Sequence, residues 1–295
     1  MVLFCDHATL LLILGPMKKA GTVQAHRGMV TVGDAELYYE IRGNGTPLLI
    51  IQGGLSEAGT TEQIAAELAE HYQVISYDRR GLSRSSLPDG KAQAPVTMGT
   101  HADDAAALLA TVTDQPAYVV GPSIGAVIGL FLALRHPERV AMLVAHEPPM
   151  LSLVRDPDQE TGLAEVAALA EQDVHAAIQH FVTFGGNESP ACEMGAQAGA
   201  QVGDAEANLR WFFTHDFPAT RHASLDIEQL SSTPVPIIPT GGDDGHERWE
   251  YRCAEQLAQL LPRRLVELPG GHNGLVSHPR ASAAVLRKLF TEPEI

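Results

Sequence analysis

Gly121-Pro122-Ser123-Ile124-Gly125 separates two runs of different character. Before it, Ala117-Tyr118-Val119-Val120 is short and largely apolar, as a strand would be, and after it Ala126 to Arg135 reads as a helix. Five residues between them leave room only for one sharp turn. The positions two before and two after the serine are then squeezed together, and glycine at both removes the Cβ atoms that would collide. Ser123 stands at the tip with its Oγ exposed, which is the geometry of a nucleophile elbow. The same turn constrains the whole chain: a buried strand that passes at once into a helix belongs to a sheet covered by helices.

The remaining periodicities agree. Met29–Val32 and Glu36–Ile41 read as a first pair of strands, the second with period-two alternation. Gly43-Asn44-Gly45 marks a turn. Pro47–Gln52 and Tyr72–Tyr77 are short continuous apolar runs, as expected of strands buried on both faces. Thr61–His71 reads as a helix, and Ala105, Leu108, Leu109 and Val112 mark another at helical spacing. Further strands are expected at Val140–Ala145, Val235–Pro239 and Arg264–Leu268. Between the last two, Trp249, Cys253, Leu257 and Leu261 share a helix face, and Val285, Leu286, Leu289 and Phe290 face inward on a terminal helix. Alternating strands and helices imply an α/β fold with a mostly parallel sheet. Residues 148–232 interrupt the alternation with Ala-rich helix and loop, for example Gly162–Ala170 and Val174–Val182. We therefore expect a core domain of residues 28–147 and 233–295, a helical cap insertion at 148–232, and a leader or disordered N-terminus at 1–27. Trp211, Phe212, Phe213 and His215 would line a pocket or fill the cap, with core the expected place for the aromatics.

With 20 Lys+Arg against 36 Asp+Glu, the formal charge is −16, a poor match to nucleic acid or an anionic membrane surface. Cys5, Cys192 and Cys253 are widely spaced, so neither a disulfide framework nor a zinc site is indicated. No P-loop, H-E-x-x-H or post-strand G-x-G-x-x-G is present, so no metal or nucleotide is expected. Ala8 to Gly15 is apolar, but Asp6 precedes it and the first lysine is Lys18, the wrong order for a secretory signal. Met17-Lys18-Lys19 reads as a natural start, and a cytoplasmic location is expected.

A serine hydroxyl needs a base, and the base needs an orienting acid. His272 lies in Pro269-Gly270-Gly271-His272-Asn273-Gly274, directly after the last expected strand, where a glycine-flanked loop can bring it onto the serine. For the acid, Asp244 is preferred in Thr240-Gly241-Gly242-Asp243-Asp244-Gly245, since its offset from Gly241 and His272 fits the usual layout of such folds. Asp243 and Glu147 are the alternatives; Glu147 follows the strand Val140–Ala145 in His146-Glu147-Pro148-Pro149. For the oxyanion hole, the N–H of Ile124 is one expected donor, and that of Gly54 in Gln52-Gly53-Gly54-Leu55 the other, with Leu55 next. Asp78-Arg79-Arg80-Gly81 is read as structural: an aspartate capping a turn, with arginines tying down the loop. Asp103-Asp104 is read as favourable charge near a helix start.

These residues resemble the α/β-hydrolase fold family from about Met29 to Phe290. The elbow, the Tyr77–Gly81 strand end, the glycine-aspartate loop at 241–244 and the Gly271-His272 loop occur in the family's order. The resemblance implies an eight-stranded, mostly parallel sheet, a cap, no cofactor, and an acyl-enzyme route through Ser123. Three positions depart from it: Gln52 stands where the family often has histidine, Pro122 where it often has a polar residue, and Ser83 where it usually has glycine. The expected activity is a serine hydrolase cleaving a small-molecule ester, thioester or lactone, as a monomer or homodimer. A C–C bond hydrolase or cofactor-free perhydrolase would use the same triad, and a non-catalytic binding module would use the same scaffold.

Overall fold

In a computed structural model, residues 24–88, 92, 94–185, 191–197, 199 and 202–292 are described. The expected leader, with Cys5 and Met17, lies almost wholly outside them. Eight strands form one sheet: β1 His26–Val32, β2 Ala35–Arg42, β3 Thr46–Ile50, β4 Tyr72–Tyr77, β5 Ala117–Pro122, β6 Val140–His146, β7 Ile237–Gly242 and β8 Val266–Leu268. Their spatial order is β1-β2-β4-β3-β5-β6-β7-β8. β2 pairs antiparallel with β1 and β4, and every later pairing is parallel.

The apolar runs of the inner strands serve two cores. In β3, Leu49 packs with the helices Met98–Val112 and Ile124–Arg135 on one face. Leu48 and Ile50 pack with Glu62–Leu68 and Pro279–Thr291 on the other. Side chains alternate across a strand, so covering both faces requires apolar residues without a break. That is why β3 shows no alternation and β2, nearer the edge, does.

Residues 148–232 supply Pro157–Ala170, Val174–Phe184, Ala205–Trp211, a π turn at Phe212–Asp216, then Phe217–Arg221 and Ile227–Ser232. Aspartates 156, 173, 204 and 226 each cap a helix of this segment by accepting backbone N–H bonds. Phe212, Phe213 and Phe217 pack in an apolar cluster with Leu163 and Val166 and with Trp249 and Cys253 of the helix Trp249–Leu260, so core is indeed their place. Trp211 instead lies on the sheet domain: a Cβ at Gly81 would come within 2.1 Å of its ring.

Two expectations need correction. β7 runs to Gly242, beyond Pro239, because its glycines sit where backbone and ring approach closely: a Cβ at Gly241 would lie 2.5 Å from Tyr251, and one at Gly242 2.4 Å from Gly270 O. Asp103 and Asp104 lie past the first turn of Met98–Val112, so the helix dipole does not explain them. Asp104 instead holds Arg80 through two 2.6 Å bonds, and Asp103 holds Arg135 at 2.8 and 2.9 Å.

Candidate active site

The elbow forms as its residues dictate. A Cβ at Gly121 would lie 2.3 Å from Gly125 O, and one at Gly125 2.2 Å from Ile51 O, so neither position admits a side chain. Ser123 itself takes φ 56° and ψ −125°, a conformation that L residues adopt only under constraint. Its N–H donates to His146 O at 2.8 Å, tying the tip of the elbow to the end of β6. Ile124 begins the following helix, and the first N–H groups of a helix have no intrahelical acceptor.

In the parallel register, Pro122 stands opposite His146. The next residues, Ser123 and Glu147, leave adjacent strand ends. Glu147 has φ 49°, positive like that of Ser123. It is fully buried. Its Oε2 accepts from His272 Nδ1 at 2.7 Å and its Oε1 from Gly242 N–H at 2.8 Å. Burial pushes the Glu147 pKa up, but the His272 hydrogen bond, the charges of His272 and His146 and the Gly242 N–H outweigh it and hold the group at about 2. The carboxylate is thus charged, and by accepting from Nδ1 it holds the His272 ring in one orientation.

The carboxylate partner of His272 is therefore Glu147, and the preference for Asp244 is corrected. Asp243 and Asp244 lie past the end of β7 with both side chains exposed. They bind the histidine loop: Asp243 N–H donates to Leu268 O at 3.0 Å, Asp244 N–H donates to Gly270 O at 3.1 Å, and the Asp243 side chain accepts from Gly270 N–H at 2.7 Å. The aspartate loop thus holds the loop that carries His272.

His146 escaped the sequence reading. It is buried, its ring lies 6.4 Å from that of His272 at an interplanar angle of 29°, and its Nδ1 meets Thr240 Oγ1 at 3.2 Å. Burial is the largest influence on the His146 pKa and lowers it, against the raising effect of the Glu147 charge. The signal for Glu147 and His146 lay in their place directly after a buried strand. Only the strand order puts that strand beside the elbow.

The loop after β3 lies against the elbow, where a Cβ at Gly53 would sit 3.9 Å from Ser123 Cβ. Phe212 from the cap stands over the next residue, its ring 3.5 Å from a Cβ built at Gly54. Gln52 is buried and its amide donates to Thr61 Oγ1 at 2.9 Å, away from the elbow. Ser83 takes φ 51°, the backbone a glycine would favour, and its hydroxyl donates to Glu57 Oε2 at 2.5 Å. Asp78 is buried and accepts from Ala58 N–H at 2.8 Å and from Arg84, so the structural reading of this strand end holds. Among the described residues no group of three His, Cys, Asp or Glu is placed to hold a metal ion. Nor, among them, is any helix long and apolar enough to cross a membrane.

A model of the α/β hydrolase fold matches residues 46–183. The uncharacterized hydrolase YraK of Bacillus subtilis is 34% identical over 269 residues, which cover 90% of this chain and 96% of that protein. The chain belongs to the α/β-hydrolase fold family. A RutD protein of Azorhizobium caulinodans, which carries a carbamate-hydrolase name, is 42% identical over 111 residues, 38% of this chain and 40% of that protein. A Nostoc crystal structure placed among the α/β hydrolases superposes with a TM-score of 0.73 at 19% identity, covering 91% of this chain and 98% of the other. The eight-stranded, mostly parallel sheet is the one the family resemblance implied. The chain is a hydrolase of this fold.

Proposed function

We propose that this hydrolase cleaves an ester, thioester or lactone through an acyl-enzyme on Ser123, with His272 as base and Glu147 as the acid that orients it. The observation that carries the reading is the 2.7 Å bond from His272 Nδ1 to buried Glu147, which sits on the strand end next to an elbow serine at positive φ. Ser123 Oγ attacks the substrate carbonyl carbon while His272 Nε2 takes its proton. The carbonyl oxygen becomes an oxyanion, bound by the N–H groups of Ile124 and Gly54. The tetrahedral intermediate collapses, the proton passes from His272 to the leaving alcohol or thiol, and the acyl group stays on Ser123. Water, deprotonated by His272, then attacks the acyl carbon; the acyl–Oγ bond breaks, His272 returns the proton to Ser123 Oγ, and the acid is released. Glu147 stays ionised throughout and stabilises the imidazolium formed in each half-reaction. The RutD match favours counting carbamates among the carbonyl substrates tested.

A fluorophosphonate probe tests the reading. It should label wild-type protein on Ser123, and Ser123→Ala should abolish labelling. A folded wild-type protein that never labels and cleaves no activated ester would support a binding module on the hydrolase scaffold instead.

A further inference from the structure

Arg79 lies in the strand-end motif read as structural, and it is fully buried. Its guanidinium donates to Gln52 O at 2.8 Å, to Gly53 O at 2.6 Å and to Gly54 O. Three consecutive carbonyls of the loop after β3 thus converge on one side chain. In a trans peptide the C=O and the following N–H point in opposite directions. Gathering the carbonyls of residues 52, 53 and 54 therefore turns the N–H groups of Gly53, Gly54 and Leu55 away from Arg79. These are the groups from which the second oxyanion donor must come.

The guanidinium is itself aimed by a residue of the cap. Asp216, at the end of the π turn, is fully buried. Its Oδ2 takes Arg79 Nη2 at 3.0 Å, and its Oδ1 takes His101 Nε2, from the helix Met98–Val112, at 3.0 Å. A buried charge pair of this kind is weak evidence for stability, since desolvation offsets its attraction. Its geometry is specific, however: one carboxylate links the cap, a core helix and the loop beside Ser123.

We infer that Arg79, held by Asp216 and His101, is the positioning residue of the oxyanion hole, so that the cap sets the orientation of the donor loop. The inference rests on Ser123 being the nucleophile. Arg79 touches no substrate. It acts by fixing peptide planes that are otherwise free to rotate, because Gly53 and Gly54 impose little conformational restriction of their own.

Arg79→Lys and Asp216→Asn test this in the full chain. Lysine reaches one carbonyl in place of three, and asparagine keeps the size of Asp216 without its charge. Turnover of a p-nitrophenyl ester is measured together with inhibition by a trifluoromethyl ketone, which becomes an oxyanion on adding to the serine. In each variant kcat should fall about 10-fold to 100-fold, and affinity for the ketone should fall by a similar factor. KM should stay within about 3-fold. Circular dichroism establishes folding, and if Arg79→Lys does not fold, Asp216→Asn decides. Wild-type kcat and ketone affinity in a folded Asp216→Asn protein would overturn the inference, as would a loss confined to KM. A wild-type protein that neither cleaves the ester nor reacts with fluorophosphonate would overturn the nucleophile reading and this inference together.

Discussion

Replacing Glu147 by Gln removes one charge and little volume, and its consequences separate two candidate acids. Glu147 sits at about 2, against 4.5 for a free side chain, although it is fully buried. A depression of that size corresponds to about 3 kcal/mol favouring the folded, ionised state. The sign follows from the direction of the shift. The contribution is fully present above about pH 5 and is lost as pH falls toward 2, where the folded protein at last takes up the proton. Urea titrations at a series of pH values should therefore show wild type losing stability faster than Glu147→Gln over that window, the two curves converging by about 3 kcal/mol. At neutral pH the variant should keep its fold and lose about 10³-fold to 10⁴-fold in kcat, since Gln neither fixes the His272 tautomer nor stabilises an imidazolium. Asp244→Asn is the control. Its side chain is exposed and its link to the histidine loop is a backbone N–H, so its kcat should stay within about 3-fold of wild type. Parallel stability curves, or a large loss in Asp244→Asn with Glu147→Gln near wild type, would refute the reasoning.

Two further substitutions probe the frame around the site. Gly121→Ala places a Cβ 2.3 Å from Gly125 O, backbone that cannot yield without moving the elbow; chemical denaturation should show a loss of about 3 kcal/mol, with turnover lost in whatever protein folds. Arg80→Ala leaves Asp104 buried without its two 2.6 Å partners, and should cost about 3 to 5 kcal/mol in the same assay without changing the kcat of the folded protein.

The strands and the elbow were legible because their signals are local. Continuous apolar runs such as Leu48–Ile51 can only be two-faced strands, and the Gly121/Gly125 pair can only be a close approach. The acid was not legible in the same way. Asp244 and Glu147 each follow a buried strand, and the sequence does not say how far a strand runs. β7 continues through Gly241 and Gly242, and Asp243 and Asp244 follow it with exposed side chains. Glu147 is reached because β6 lies next to β5, a fact of strand order. The network of Arg79, Asp216 and His101 was hidden for a similar reason: its members are 115 and 137 residues apart along the chain and meet only when the cap folds onto the sheet.

The central claim is that Ser123, His272 and Glu147 form one catalytic unit with the Ile124 and Gly54 N–H groups facing it. A crystal structure of the fluorophosphonate adduct tests it most directly. Phosphorus should be bonded to Ser123 Oγ, with the phosphoryl oxygen within hydrogen-bond distance of both N–H groups and His272 still held by Glu147. Phosphorus on another residue, or a phosphoryl oxygen turned away from Ile124 and Gly54 with His272 released from Glu147, would contradict it.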